Sequence, residues 1–294
     1  MSLVINHNMM SMNAARNLGL SYGRLSTSTQ RLSSGLRVNT AADDAAGLAI
    51  RELMRSEITT MNQGIRNAND AISMIQTADG ALQVIDEKLI RLKELAEQAS
   101  TGTYNSDQRL MIDSEFQAMS SEITRIALAT EFNGVKLLDG SLSALPGAVN
   151  GHDGSGLQPI GQLKIHFGTG NSSSEDYYFI SMGDATATAL MGEVHISTQD
   201  GAQAALERIN EAIISKDNIR AALGALQNRL ENTINNLSIM AENLQAAESR
   251  ISDIDVATEM TEFVRNQILT QSAVAMLAQA NSLPRLAMQL IGGG

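Results

Sequence analysis

Four histidines, two acidic pairs and one glycine-rich loop are the residues of this 294-residue chain that could do chemistry. His7, His152, His166 and His195 lack the spacing that brings imidazoles to one metal ion, so surface or hairpin positions are the simpler reading. Asp253 and Asp255 form an acidic pair, yet two residues apart on a helix they point in different directions. Asp43 and Asp44 stand just before a helical pattern and read as helix caps rather than catalytic acids. Gly151-His152-Asp153-Gly154-Ser155-Gly156 is turn-rich but lacks the strand and helix that a phosphate cradle requires. Asn171-Ser172-Ser173 fits the acceptor pattern for an N-linked sugar in a loop. There is no cysteine, which excludes disulfides and thiolate metal sites. No catalytic constellation emerges, and the chain reads as a non-enzyme without cofactor or metal.

The elements around these residues are helical. Aromatics are 3% of the chain, Trp is absent, and the apolar content is Leu, Ile, Ala and 15 Met, a composition suited to helix seams. A net charge of −11 without a basic cluster argues against nucleic acid as a partner. No stretch is long and apolar enough to span a membrane. Residues 1–20 lack a basic region followed by an apolar run, so no cleaved secretory signal is expected, and export would need another route.

The longest pattern runs from Leu223 to Ile254. Leu223, Leu230, Leu237, Leu244 and Ile251 recur every seven residues, with Leu226, Thr233, Met240, Ala247 and Ile254 three places on. Such a seam keeps one apolar stripe against a partner helix over many turns. Its companion is Met54, Met61, Ala68, Ile75, Leu82, Leu89 and Ala96. A third seam, Ala15, Leu18, Tyr22, Leu25, Thr29, Leu32 and Leu36, has Ser, Thr, Asn and Gly on its flanks and needs packing to hold it helical. A fourth carries Leu269, Met276, Leu283 and Leu290 on one line and Ala273, Ala280 and Ala287 on the other, with Pro284 as a kink. Ser33 to Asp44 reads as a linker, and helices are expected from about Ala45 to Ser100 and from Asn105 to about 129. The last of these carries Ile112, Phe116, Met119, Ile123 and Ile126 on one face. Between Glu131 and about Asp200 the period changes. Asn133-Gly134 signals a turn, and Leu163, Ile165 and Phe167 against Tyr178, Ile180 and Met182 read as a β-hairpin. The expected fold is mainly α, an elongated antiparallel helical bundle or coiled coil of paired amino- and carboxy-terminal arms with a small β-hairpin insertion.

The stretch Arg31-Leu32-Ser33-Ser34-Gly35-Leu36-Arg37-Val38-Asn39-Thr40-Ala41-Ala42-Asp43-Asp44-Ala45-Ala46-Gly47-Leu48-Ala49-Ile50 closely resembles bacterial flagellin. The resemblance continues in Arg66 to Ser73, Gln76 to Leu82, Phe132 to Leu138, Ser249-Arg250-Ile251, Asp253, Asp255, Ala257, Glu259, Ile268-Leu269 and Leu277 to Asn281. Residues of about 140–200 are unmatched, and Pro284-Arg285 departs from the usual Pro-Gln. The resemblance implies an inner-core pair called D0, residues 1–42 and 255–294, and a rod called D1, residues 43–140 and 200–254, with a variable insertion at 141–199. In that scheme Leu18, Leu25, Leu32, Leu269, Met276, Leu283 and Leu290 pack the inner core. Ile75, Leu82, Leu89, Leu223, Leu230, Leu237, Leu244 and Ile251 pack the rod.

The implied job is to build the extracellular flagellar filament for swimming motility. The implied partners are further copies of the chain, an export chaperone on residues 255–294, and the filament cap and hook-associated junction proteins. Leu89, Arg91, Leu95, Gln98 and Glu115 resemble the site engaged by Toll-like receptor 5, although Ile90 and Glu97 depart from its common pattern. The rival readings are a hook-filament junction protein and a soluble coiled-coil adaptor. The composition of the terminal seams adds an expectation of its own, that they order only when neighbouring copies cover them.

Overall fold

Heptad lines on the chain's two longest helices are buried over most of their length, and this sets the architecture. In a computed structural model, residues 7–143, 161–173 and 175–292 are described, with side chains through Pro284. The described residues form α1 (Met9–Ser34), α2 (Ala45–Ser100), α3 (Ser106–Ala129), β1 (Glu131–Phe132), β2 (Val135–Lys136), β3 (Leu163–His166), β4 (Tyr177–Ile180), α4 (Ala187–Met191), α5 (Gln199–Ser252) and α6 (Val256–Gly292). The fold is mainly α, with two antiparallel two-stranded sheets. The chain divides into two compact units, one of Met1–Ser56 with Glu242–Gly294 and one of Glu57–Ala241.

In the second unit α2 buries Met61, Ala68, Ile75, Leu82, Leu89 and Ala96 on one line and Ala71, Ala78, Ile85, Leu92 and Ala99 on the next. From α5 the buried line is Ala202, Ile209, Lys216, Leu223, Leu230 and Leu237. The partner line of α5 drifts. Leu226 and Thr233 are half-buried, but Met240 is exposed and Ala241 is buried in its place. A straight helix turns by about 20° per heptad relative to a strict seven-residue repeat, which moves the stripe by one residue over this length.

Lys216 interrupts the apolar line with a charge, and its side chain is 2% exposed. Its ammonium donates to Asp86 on α2 and lies 2.8 Å from Asp217. One turn on, the Arg220 Nε donates to Asp79 at 2.7 Å. The partners advance in opposite directions along the two helices, so α2 and α5 run antiparallel. A polar group at a seam position fixes register, because any slide leaves it buried without its partner.

After Ser100 the chain turns at Thr101-Gly102. Asn105 caps α3, accepting from the Gln108 N–H while the Gln108 side chain accepts from the Asn105 N–H. Phe116, Ile123 and Ala127 are buried, with Ile112, Met119 and Ile126 packed at the margin of the same core. Asn133 (φ 51°) and Gly134 (φ 80°) close the β1–β2 turn in the left-handed region that a two-residue hairpin needs. In the second hairpin Leu163 pairs with Ile180 and His166 with Tyr177.

That hairpin is held on two helices. A side-chain carbon on Gly64 of α2 would collide with the carbonyl of Phe167, and Asn67 donates to the His166 carbonyl at 2.8 Å. On the other flank the Arg229 guanidinium of α5 lies 3.6 Å over the Tyr178 ring, and the Tyr178 hydroxyl meets Thr233 at 3.3 Å.

Asp86→Ala removes the cross-helix partner of the buried Lys216 ammonium and leaves it Asp217 alone. It is expected to destabilise the second unit by roughly 2–3 kcal/mol in guanidinium unfolding, below the cost of fully stranding a buried charge because Asp86 is partly exposed and Asp217 remains. Lys216→Met with Asp86→Leu is expected to restore wild-type stability or exceed it.

Candidate assembly surface

The first unit is built on α1 and α6. Asn8 caps α1 by accepting from the Ser11 N–H, and Gly35 (φ 72°) ends it by donating to the Arg31 carbonyl. The two helices are antiparallel, tied at one end where Asn8 Nδ2 donates to the Ala280 carbonyl at 2.8 Å and the Ser11 hydroxyl to Asn281 at 2.7 Å. At the other end Leu36 bridges to Asp253. There the Arg37 N–H donates to the Ser252 carbonyl at 2.7 Å and the Ile254 N–H to the Gly35 carbonyl at 3.1 Å. Arg37 adds a guanidinium bond to the Ile251 carbonyl at 2.8 Å.

The linker is a set of closed turns. Asp43 accepts from the Asn39 and Thr40 N–H groups and from the Thr40 hydroxyl, and Asp44 caps α2 by accepting from the Gly47 N–H at 2.9 Å. Arg51, almost fully buried, donates to the Val38 carbonyl at 2.9 Å. Asp255 caps α6 from Ala257 and Thr258. The Thr40 N–H holds the Asp43 carboxyl below its ordinary pKa, and the Thr258 hydroxyl does the same for Asp255.

Between α1 and α6 the seam interleaves large apolar residues with small and polar ones. From α1 it takes Ala14, Leu18, Ser21, Leu25, Ser28 and Leu32, and from α6 Phe263, Asn266, Thr270, Ala273, Leu277 and Ala280. Leu18, Leu25 and Leu32 lie in the seam, and Leu283 is half-buried. Leu269 and Met276, by contrast, are 42% and 62% exposed, and the Leu290 side chain lies outside the described residues. The sequence pattern of large residues therefore missed Ser28, Asn266 and Thr270. Their signal was the heptad recurrence of small residues at Ala14, Ser21 and Ser28 and at Ala273 and Ala280.

Large apolar side chains are turned outward instead. Val256, Met260, Val264, Ile268, Leu269, Val274 and Met276 of α6 are exposed, with Met9, Met10, Met12, Leu20 and Tyr22 of α1. Residues 266–284 contain no Asp, Glu, Lys or Arg. A run of exposed large apolar side chains of this kind marks a surface that other protein covers.

The rod-packing residues Ile75, Leu82, Leu89, Leu223, Leu230 and Leu237 are buried in the second unit, and Leu244 and Ile251 are half-buried in the first. Of the five receptor candidates, Leu89 and Leu95 are buried in the core and offer no side chain to a macromolecule. Arg91, Gln98 and Glu115 reach solvent. The Arg91 guanidinium bonds Glu115 at 2.8 Å and Glu94 at 2.9 Å, and these carboxylates raise its pKa, Glu115 first. Gln98 donates to the Tyr104 hydroxyl at 3.1 Å.

The residues that could have done chemistry are dispersed. His7 is exposed, His166 stacks on Tyr177, and His195 lies 3.8 Å from Asp113 beside Gln117. Asp253 accepts from the Ser249 hydroxyl at 2.7 Å. Asn171 is exposed in the hairpin loop, while His152 and the 151–156 loop lie outside the described residues.

Residues 5–143 match the model of the bacterial flagellin N-terminal helical region, and residues 206–291 that of the C-terminal helical region. The chain belongs to the bacterial flagellins. It is 43% identical to a flagellin of Halalkalibacterium halodurans over 98% of this chain and 100% of the relative. With the flagellin of Bacillus subtilis it shares 41% identity over 98% of this chain and 99% of that one. A hook-associated protein structure from Vibrio parahaemolyticus is similar with a TM-score of 0.56 at 12% identity, covering 72% of this chain and 100% of that one, which is a likeness of fold alone. The junction-protein and adaptor readings are therefore not favoured, and this flagellin is a structural subunit of the flagellar filament.

Because Asp43 and Asp255 have depressed folded-state pKa values, the stabilisation they lend is present above the ordinary carboxylate pKa and is lost as pH falls below it through the depressed values. As pH falls below about 4, protection of the Thr40 and Thr258 amides relative to intrinsic exchange is expected to drop before that of the α2–α5 core. Asp255→Asn is expected to flatten that response at Thr258.

Proposed function

We propose that the unit built on α1 and α6 is the part of this flagellin that copies of the chain join through, and that its helices reach full order only in the polymer. The exposed large apolar side chains of α6, with its charge-free run over residues 266–284, carry this reading. In the α1–α6 seam Ala, Ser, Thr and Asn alternate with leucines that are only half-buried, and burial contributes only about 25 cal/mol per Å². Ordering the backbone costs roughly 1–2 kcal/mol per residue. One isolated helix pair with such a seam offsets that cost poorly, and further copies supply the missing burial. In family terms residues 1–42 and 255–294 are then D0, residues 43–140 and 200–254 are D1, and 141–199 is the variable insertion.

An incompletely ordered α6 also suits export through a narrow channel without a cleaved signal peptide. Its apolar surface is the segment an export chaperone would hold before assembly outside the cell. The cap and the hook-associated junction proteins would meet the same terminal helices at the ends of the filament. On the second unit, Arg91, Gln98 and Glu115 form the exposed part of the surface proposed for Toll-like receptor 5, with Leu89 and Leu95 supporting it from within.

Amide exchange on monomer and on salt-induced filaments tests the assembly reading. Residues 9–34 and 256–284 are expected to exchange fast in the monomer and slowly in the filament, whereas equal protection in both states would refute coupled ordering. In a reporter-cell assay, Arg91→Ala is expected to reduce the receptor response, and an unchanged response removes that surface.

A further inference from the structure

A groove of about 360 Å³ lies in the second unit between α2, the β1–β2 hairpin and β3. Asp70 and Met74 of α2, Phe132 and Val135 of the first hairpin, and all four residues of β3 line it. The strand brings an unpaired edge to this groove. β3 and β4 form a sheet of two strands, so each has one side without a neighbouring strand. The Phe167 N–H donates to the Asp176 carbonyl at 2.9 Å, which sets the alternation of the antiparallel ladder. Leu163, Ile165 and Phe167 exchange bonds with the β4 side, while Lys164 and His166 turn N–H and C=O to the open side. Asn67 meets one of these groups, donating to the His166 carbonyl at 2.8 Å. The Lys164 N–H, the Lys164 carbonyl and the His166 N–H have no partner among the described residues.

An open edge is commonly guarded by a charged side chain that discourages a further strand. Here the guard is folded away. The Lys164 ammonium lies 3.5 Å over the Tyr177 ring and donates to Asn171 at 3.4 Å. Tyr177 faces away from α5, opposite to Tyr178, so the lysine covers the outer face of the hairpin and leaves the edge clear. Asp70 adds a charge to the groove. Its carboxylate is exposed and has neither a salt bridge nor a hydrogen bond among the described residues.

We propose that this groove is a strand-addition site for an extended peptide of another protein, one that carries an aliphatic residue and, two places along, a lysine or arginine. Two donors and an acceptor spaced along one strand are complementary to a second main chain, which offers both at the same repeat. Residues two apart in an extended peptide share a face. The aliphatic residue packs against Phe132 and Val135, and the cation reaches Asp70. A net charge of −11 sets Asp70 against further copies of this chain and in favour of a basic partner.

The full-length monomer and an acetylated, amidated peptide Thr-Val-Thr-Lys-Thr test the site by NMR. The Lys164 amide is expected to exchange fast in the free chain and to become protected on saturation, whereas the Ile165 amide is protected in both states. Two versions of the peptide, N-methylated at alternate residues, are expected to differ in affinity by about tenfold or more, because only one frame faces β3. Asp70→Asn is expected to weaken the lysine peptide by about threefold and to leave a norleucine version unchanged. Slow exchange at Lys164 in the free chain would overturn the proposal, since the edge is then already covered. So would absence of binding up to about 1 mM, or equal binding of the two N-methylated frames. An Asp70→Asn chain that binds the lysine peptide as tightly as the wild type would overturn the basic specificity.

Discussion

The seam between α1 and α6 interleaves its few large apolar residues with ones too small to bury much, and the character of the first unit follows from that constraint. Ala14, Ser21 and Ser28 opposite Asn266, Ala273 and Ala280 let two backbones approach closely while removing little apolar surface from water. The large apolar residues of α6, among them Met260, Val264, Ile268 and Met276, are thereby left facing outward. Closing turns at the ends, from Asn8 to Ala280 and from Leu36 to Asp253, hold the pair in register without deepening its core.

The second unit solves the same geometric problem in the opposite way. Leu82, Ile85, Leu89 and Leu92 of α2 and Leu223 and Leu230 of α5 are buried almost completely, and Phe116 and Ile123 of α3 complete the core. Specificity comes from the one charge placed inside the seam. Lys216 adds no hydrophobic stabilisation, yet only one alignment of α2 and α5 gives the buried ammonium its Asp86 partner across the seam. One heptad repeat thus serves a unit that is complete in one chain and another that is not.

Much of this was legible in the residues. The heptads of α2 and α5, the Asn105 cap, the Asn133-Gly134 turn and the Leu163 to Met182 hairpin follow from periodicity and turn chemistry, which depend on near neighbours alone. The face of α6 was less legible. Leu269 and Met276 form the stronger apolar line, and a reading that ranks residues by hydrophobicity turns that line inward. The structure turns inward the line of Asn266, Ala273 and Ala280, since close approach favours small side chains. Leu89 and Leu95 show a related limit. A motif match identifies residue types, whereas burial decides which of them can touch another molecule, and burial depends on α3 and α5 together.

The hairpin has a mechanical consequence. Its β3 end abuts α2 at Gly64 and Asn67, and its β4 end is gripped by Arg229 and Thr233 of α5, so one small sheet straddles the two helices. The Lys216 and Arg220 ion pairs form a second fastening further along the same pair. Under torsion the helices cannot shear past each other at one fastening without straining the other, which stiffens this filament subunit.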